Sequence, residues 1–239
     1  MEFENIRNIK PDDADTWKEK IFLTFDVDWA SDEVLAYLLD MVEKSGVKAT
    51  FFCTHETKLM KIMRENADIE LGIHPNFNFL LNGDFRYGKN ISEVVDYYRK
   101  ICPDAVSARS HCLTENAAIA KVFSERGLRY DCNILVPASA NIELKPWEDC
   151  NKGLIKVPLL WEDDVHCLYG WEFDLKSFTG RPGLKVFNFH PMFVFLNIEK
   201  IQRYHECKEC GSDYNKLKSR KNKSYGVENF LKELLAKNG

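Results

Sequence analysis

The apolar segment KIFLTFDVDWA, residues 20–30, has two aspartates near its C-terminal end, with one valine between them. Side chains two positions apart on a strand point to the same face, so Asp26 and Asp28 share a face with their Cα atoms ~6.5 Å apart. Two such carboxylates repel each other and lose hydration, which is costly unless a cation or a shared proton compensates. The pair therefore indicates a metal or acid/base site, and a loop mouth where both meet water is the alternative.

Ionisable side chains also close most of the other strand-like segments of the chain. Seven segments are apolar and rich in β-branched residues: KIFLTFDVDW, VKATFFCTH, DIELGIHP, AVSARSHC, YDCNILV, IKVPLLWEDD and LKVFNFHP. The ionisable residues at their ends are Asp26, Asp28, His55, His74, Arg109, His111, Glu162, Asp163, Asp164 and His190. Because the carboxyl ends of parallel strands open onto one rim, four of the six histidines are expected to meet there. This convergence predicts a metal or acid/base centre rather than four separate core histidines.

Helical patterns lie between several of these segments. SDEVLAYLLDMVEKSG has Ser31 as N-cap, apolar residues at helical spacing and Gly46 as its stop. LTENAAIAKVFSERG repeats the scheme with Thr114 and Gly127, and GVENFLKELLAKNG predicts a closing amphipathic helix. Alternating strands and helices predict a parallel sheet covered by helices, either an incomplete barrel or a doubly wound sheet.

Composition narrows the class of protein. The chain has 239 residues, 45% of them hydrophobic, enough for one large domain. Its net charge of -4 speaks against a general binder of nucleic acid or of acidic membranes. The first twenty residues lack an apolar region, and no later run approaches the ~18 apolar residues of a membrane span. We therefore expect a soluble cytoplasmic protein, whose oligomeric state the sequence does not indicate.

Three further features allow two interpretations each. The eight cysteines are mostly isolated and suit reduced thiols, but Cys207 and Cys210 have the spacing of a zinc knuckle. Aromatic residues in segments 76–90 and 166–183 suit either sugar stacking or ordinary loop packing. The run KLKSRKNKS is typical of a solvated basic loop, with contact to a phosphate or an acidic glycan as the alternative.

The ordered motifs resemble those of the polysaccharide deacetylase family, carbohydrate esterase family 4. TFDVDW resembles the first motif of that family, ELGIHP the second, ARSHCL the third and NFHP the last. The resemblance covers roughly residues 20–235 and is greatest to a subgroup encoded in bacterial surface-polysaccharide clusters. It implies a distorted (β/α) barrel of seven or eight parallel strands over residues 20–239, after an N-terminal extension of residues 1–19.

The resemblance also implies roles for individual residues. Asp26 would be the general base, Arg109 would hydrogen-bond it, and His190 would be the general acid. Asp28 and His74 would bind the metal, although the sequence alone does not exclude the reverse roles for the two aspartates. The residues predicted to contact substrate are Trp29, His55, Trp161 and Asp163.

One position departs from the family pattern. The second metal-binding histidine usually lies four residues after the first, and here that position is Asn78. Asparagine is a poorer zinc donor than imidazole, so His111 is the preferred third ligand because it lies two residues after Arg109. His55 is a further candidate for this ligand, and His166 is a reserve.

The implied function is metal-dependent N-deacetylation of an acetamido sugar in polysaccharide or glycan-precursor metabolism. Zn²⁺ is the expected ion, and a carbohydrate or a sugar nucleotide is the expected substrate. Three alternatives remain: hydrolysis of another non-peptide C–N bond, a non-catalytic carbohydrate-binding protein of the same fold, and an interaction module built on the cysteine pair.

Overall fold

The computed structural model describes residues 1–238 and contains ten strands and eleven α-helices within them. The strands are β1 (Glu2–Phe3), β2 (Lys20–Asp26), β3 (Ala49–Cys53), β4 (Ile69–Ile73), β5 (Ser107–Ala108), β6 (Tyr130–Asp131), β7 (Trp147–Glu148), β8 (Ile155–Lys156), β9 (Trp161–Glu162) and β10 (Lys185–Phe189). The helices are α1 (Asp32–Ser45), α2 (Met60–Glu65), α3 (Asn78–Leu81), α4 (Ile91–Ile101), α5 (Ala117–Glu125), α6 (Asp163–Tyr169), α7 (Leu175–Thr179), α8 (Pro191–Leu196), α9 (Ile201–Cys207), α10 (Tyr214–Ser219) and α11 (Val227–Leu235).

The strands form a single curled sheet in the order β7-β8-β6-β5-β4-β3-β2-β10-β9, and β1 also pairs with β2. Every pairing is parallel except that of β7 with β8. β2 lies between β3 and β10, which explains why six of its seven residues are buried. All seven segments predicted as strands form strands, and their near-continuous apolar character reflects burial on both faces.

One chain segment joins the two halves of the sheet into a barrel. β8 pairs with β6 and β9 pairs with β10, although only residues 157–160 separate these two short strands. Within this segment the Leu159 amide donates to the Ile134 carbonyl at 2.7 Å, and the Leu160 amide donates to the Val186 carbonyl at 2.9 Å. The sheet therefore curls on itself, which confirms the predicted distorted barrel and excludes the doubly wound alternative, whose two edges lie apart.

The helix predictions are confirmed with one correction. α1 begins after Ser31, whose side chain accepts from the Val34 amide, and ends at Gly46 with φ 62°. α5 does not begin at Thr114: its N-cap is Asn116, whose side-chain oxygen accepts the Ile119 amide at 3.0 Å. The Thr114 hydroxyl instead donates to the carbonyl that precedes it by three residues, so it stabilises the preceding turn.

The first residues of the chain cover the amino end of the barrel. Ile6 and Ile9 are fully buried, and the Tyr130 hydroxyl donates to the carbonyls of Arg7 at 2.7 Å and Ile9 at 3.1 Å. β1 adds to the sheet beside β2, so this segment contributes to the same core. The carboxyl end of the barrel is thereby left as the end where strand-terminal side chains can meet a ligand.

Helices α9 and α10 form one side of the opening at the carboxyl end. Within the described residues none of the helices is both long and apolar enough to span a membrane. The eight cysteines are free thiols, five of them buried. No third metal donor joins Cys207 and Cys210 in residues 1–238, so the zinc-knuckle alternative finds no support there.

Candidate active site

The two aspartates after β2 separate because the backbone turns sharply between them. β2 ends at Asp26, and Asp28 has a positive φ of 48°, a conformation that is uncommon for residues other than glycine. The Val27 amide donates to the Phe52 carbonyl at 3.0 Å, which fixes the chain between the two carboxylates. Both aspartates line the same cavity, but each has its own set of partners.

Asp26 is buried and held by two donors. Arg109 Nη1 donates to its Oδ1, and Asn188 Nδ2 donates to its Oδ2, each at 2.9 Å. Burial raises the pKa of Asp26, but the charges of Arg109 and His74 outweigh that effect and lower this pKa below its usual value. Asp26 is therefore an ionised carboxylate with a fixed orientation, as a general base requires.

The side-chain amide of Asn188 has only one orientation that satisfies its neighbours. Its Oδ1 accepts from Arg109 Nη1 at 2.5 Å and from the Thr24 hydroxyl at 3.1 Å, and an arginine can only donate. Its Nδ2 therefore faces two carboxyl groups, those of Asp26 and Glu162, each at 2.9 Å. Burial and the nearby Asp164 raise the pKa of Glu162 well above its usual value, which favours protonation of this second carboxyl group.

Three side chains can hold a divalent metal beside Asp26. One donor atom from each of Asp28, His74 and His111 lies within 4.8 Å of the other two. Asp28 Oδ1 is 3.3 Å from His74 Nε2 and 3.1 Å from His111 Nδ1. These separations match the ~3.3 Å expected between ligands of a tetrahedral zinc site with bonds of about 2.0 Å.

The state of the two histidines also fits a metal. His74 is 1% exposed, yet neither of its ring nitrogens makes a hydrogen bond within the described residues. Buried polar atoms without partners are costly, so His74 has the properties of a ligand whose ion supplies the missing contact. Burial lowers the pKa of His111, but the hydrogen bond to Asp28 outweighs this and raises that pKa to about 10. The proton on His111 thus offsets the negative charge of Asp28, and a bound cation would take over this role.

The other residues considered as third ligand lie elsewhere. Asn78 does not line the cavity, and its side-chain nitrogen contacts Cys112 Sγ at 3.6 Å. His55 Nδ1 contacts the Asp28 main-chain carbonyl at 3.1 Å rather than its carboxylate. His166 is buried in the core, where its Nδ1 accepts from an indole nitrogen and burial lowers its pKa to about 4. His111 is the residue that completes the donor set.

His190 lies near Asp28 and is fixed by Asp163. Its main-chain amide donates to Asp163 Oδ2 at 2.8 Å, and its Nδ1 lies 2.6 Å from Asp163 Oδ1. His190 lines the cavity, and its Nε2 lies 3.9 Å from Asp28 Oδ2. Burial lowers the pKa of His190, but the negative charge of Asp163 outweighs this and raises the pKa well above its usual value. The imidazolium can therefore deliver a proton at the cavity.

The structure corrects three of the four residues expected to contact substrate. Trp161 is 1% exposed, and its indole nitrogen donates to His166 Nδ1 at 3.0 Å, so it packs in the core. Asp163 is fully buried behind His190 and orients it instead of reaching the cavity. His55 does not line the cavity. Trp29 does line it, is 50% exposed and packs edge-on against His111 with ring centroids 5.0 Å apart.

The cavity has a volume of about 670 Å³, which suits a ligand the size of a sugar with a short extension. Sequence reasoning missed Asn188 and Tyr204 as residues that form or support it. A signal was present for Asn188, which lies two residues before His190 on β10 and so shares its face. Tyr204 belongs to α9, and no sequence pattern indicates that this helix packs beside the strand ends.

Comparisons with known proteins indicate the family of the chain. A model of the WbmS-like polysaccharide deacetylase family matches residues 23–208. A crystal structure from Bordetella bronchiseptica, described as that of a candidate polysaccharide deacetylase involved in O-antigen biosynthesis, is 44% identical to this chain. The match covers 100% of this chain and 98% of the Bordetella bronchiseptica chain, with a TM-score of 0.94. A candidate polysaccharide deacetylase from Mycobacterium smegmatis is 19% identical over 72% of this chain and 76% of its own, with a TM-score of 0.49. No curated protein sequence gives a significant match.

Proposed function

Because the chain belongs to the WbmS-like polysaccharide deacetylase family, we propose that it is a metal-dependent N-deacetylase of an acetamido sugar. One observation carries the proposal. A three-residue metal-donor cluster (Asp28, His74 and His111) lies within 4 Å of both an ionised carboxylate, Asp26, and an imidazole with a raised pKa, His190. Hydrolysis of an amide needs this combination of an electrophilic centre, a base and an acid.

The donor set favours Zn²⁺. Two imidazoles and one carboxylate are a ligand set of catalytic zinc sites, which keep a fourth position open for water or substrate. An ion bound by these residues would polarise the amide carbonyl and lower the pKa of a water molecule toward ~7. The protein supplies the remaining functions through Asp26, His190 and the residues that orient them.

Asp26 is the proposed base. It takes the proton of the attacking water as the new C–O bond forms at the acetyl carbonyl carbon. Arg109 and Asn188 each occupy one of its oxygens, so the carboxylate keeps one orientation toward the cavity. Asp28 suits the ligand role better than the base role, because its Oδ1 is the atom that approaches both His74 and His111.

His190 is the proposed acid. When the amide C–N bond breaks, its Nε2 proton passes to the sugar nitrogen, and acetate and an amino sugar leave. Asp163 keeps the proton-donating nitrogen directed to the cavity by accepting from the other ring nitrogen. General acid catalysis of this kind typically contributes 10²–10⁴-fold to the rate.

The same residues speak against a non-catalytic role. A binding protein has no need to keep Asp26 ionised and His190 charged in a buried position, since both states require specific partners. The eight free cysteines fit a reducing compartment, so we propose a glycan precursor or sugar nucleotide of the cytoplasm as the substrate pool.

The test is hydrolysis of a panel of N-acetylated sugars, sugar nucleotides and cyclic amides by the zinc-loaded protein, measured as acetate release from the N-acetylated compounds and as ring opening of the cyclic amides. We expect acetate and a primary amine in equal amounts from at least one N-acetylated sugar. Asp26→Asn should abolish release, and the exposed Asp40→Asn should not. Turnover of a cyclic amide without turnover of any acetamido sugar would overturn the proposal.

A further inference from the structure

We propose that the substrate of this site carries a negatively charged group, a phosphate or a carboxylate, which binds to Lys208 on the wall of the cavity. The inference rests on the proposed function, because it assumes that an acetamido group occupies the floor between Asp26, the metal donors and His190. It concerns a wall formed by residues 200–223, which includes α9 and α10.

Charge is distributed unevenly between this wall and the rest of the chain. Residues 200–223 contain eight lysines and arginines and three aspartates and glutamates, a net formal charge of +5. The complete chain has a net charge of -4, so the residues outside this segment have a net formal charge of -9 and the segment differs in sign from the rest. A local field of this kind attracts anionic ligands and raises their concentration at the opening.

Lys208 brings that charge into the cavity itself. Within residues 1–238 it is the only lysine or arginine that lines the cavity. Its Nζ lies 5.0 Å from the centroid of the Tyr204 ring, and no carboxylate among the described residues lies within 4 Å of it. The Tyr204 ring in turn packs on Phe193, with centroids 4.7 Å apart. The ammonium group is therefore held by an aromatic contact and keeps its charge available for a ligand.

The floor is the part of the cavity that the acetamido group occupies in this proposal. The carboxyl groups of Asp26, Asp28, Glu162 and Asp164 line it. The negative charge of the ionised ones opposes a further anion there, unless that anion binds the metal directly. With the acetamido group at the floor, the wall that carries Lys208 is the part of the cavity where a second, charged substituent is stabilised.

Neighbouring basic residues differ in whether they are neutralised. Lys216, Arg220 and Lys221 each pair with a carboxylate, at 3.6, 3.6 and 2.7 Å respectively. Lys218 and Lys223 are exposed and have no such partner within the described residues. Lys218 and Lys223 add to the positive charge of the segment, which salt screens over about 8 Å, whereas Lys208 is the one that lines the cavity among the described residues.

The test measures binding of three matched probes by calorimetry: N-acetylglucosamine, N-acetylglucosamine 1-phosphate and N-acetylglucosaminuronic acid. We expect at least one charged probe to bind about tenfold tighter than the neutral sugar at low salt, as a single hydrogen bond to a charged group provides. The advantage should shrink at 0.5 M salt. A gain for the phosphate alone would identify phosphate as the group, and a gain for the uronate alone would identify a carboxylate.

Lys208→Gln is the discriminating variant, because an anion that binds directly to the metal would keep its advantage without this lysine. The charged probe should lose most of its tenfold advantage in Lys208→Gln and keep it in Lys44→Gln, an exposed lysine at the far end of α1. Equal affinity for all three probes, failure of every probe to bind at millimolar concentration, or an unchanged preference in Lys208→Gln would each overturn the inference. Absence of acetate release with an intact charge preference would instead contradict the proposed function.

Discussion

Asn188 fixes the orientation of Asp26, because its Nδ2 lies 2.9 Å from Asp26 Oδ2 while its Oδ1 faces the guanidinium of Arg109. All four hydrogen-bonding positions of this side-chain amide are filled, two as donors and two as acceptors. Asn188 therefore orients the proposed base, Asp26, and is itself held on both sides of its amide. Its replacement tests this hydrogen-bond network.

Replacement of Asn188 by alanine should reduce both stability and activity. The change leaves buried groups of Thr24, Asp26 and Glu162 with fewer partners, and each unsatisfied group costs about 1–3 kcal/mol. Urea denaturation should show a loss of free energy of unfolding in that range or above, and kcat should fall. Asn82→Ala, at an exposed helix end, should change neither quantity. Full stability in Asn188→Ala would contradict the network.

The two aspartates should differ in what their loss removes. Asp26→Asn should keep the metal and lower kcat by about 10²–10⁴-fold, because the side chain remains polar but no longer accepts a proton. Asp28→Ala should lose the metal, because its Oδ1 joins both histidines. Elemental analysis beside acetate release separates the two, with Asp40→Ala as the surface control. Retention of metal in Asp28→Ala would assign the ligand role elsewhere.

The third ligand can be identified by comparing His111 with Asn78. His111→Ala should weaken metal binding by well over tenfold, since even residues that only support ligands typically change metal affinity 10–100-fold. Asn78→Ala should leave the affinity within about twofold, because Asn78 lies outside the cavity. Competition with a chromogenic chelator measures both affinities. An equal loss in the two variants would show that Asn78 also binds the ion.

The pH dependence of the reaction should report the pairing of His190 with Asp163. His190 must be protonated to act, so activity falls as pH rises through its pKa, which the negative charge of Asp163 raises. Asp163→Asn removes that charge, and the alkaline limb of the kcat/KM profile should therefore move to lower pH by about one unit or more. Asp164 makes no hydrogen bond to His190, so Asp164→Asn should move the alkaline limb by less. An unmoved limb in Asp163→Asn would rule out His190 as the acid.

Trp29 and Trp161, which the sequence predicts as substrate contacts, should respond differently to replacement by alanine. Trp161→Ala should lower the free energy of unfolding by about 3–5 kcal/mol, because the side chain is fully buried among aromatic rings. Trp29→Ala should leave stability nearly unchanged and raise KM, since this residue is half exposed at the cavity. Thermal denaturation and steady-state kinetics distinguish these outcomes, and unchanged KM in Trp29→Ala would remove it from the substrate site.

Local signals in the sequence were sufficient for the strands and for much of the rim. The seven apolar segments predicted the strands because a parallel sheet buries both faces, and Ser31 and Gly46 predicted the bounds of α1 because capping is a local interaction. Asp26, His74 and His190 were identified as candidate site residues since each is the last residue of a strand or directly follows one. Thr114 was the exception, because the sequence offers two nearby polar residues as N-cap of α5 and the structure uses Asn116.

Relations between residues far apart in the chain were decided only by the tertiary structure. The sequence favoured His111 as the third ligand but left His55 and His166 as candidates, because their distances to Asp28 depend on how loops from different strands meet. It did not show that Asp163 turns behind His190, or that α9 places Lys208 at the cavity. The sequence determined which residues lie at strand ends through local burial and spacing, whereas barrel closure, a long-range effect of packing, decided which of them meet.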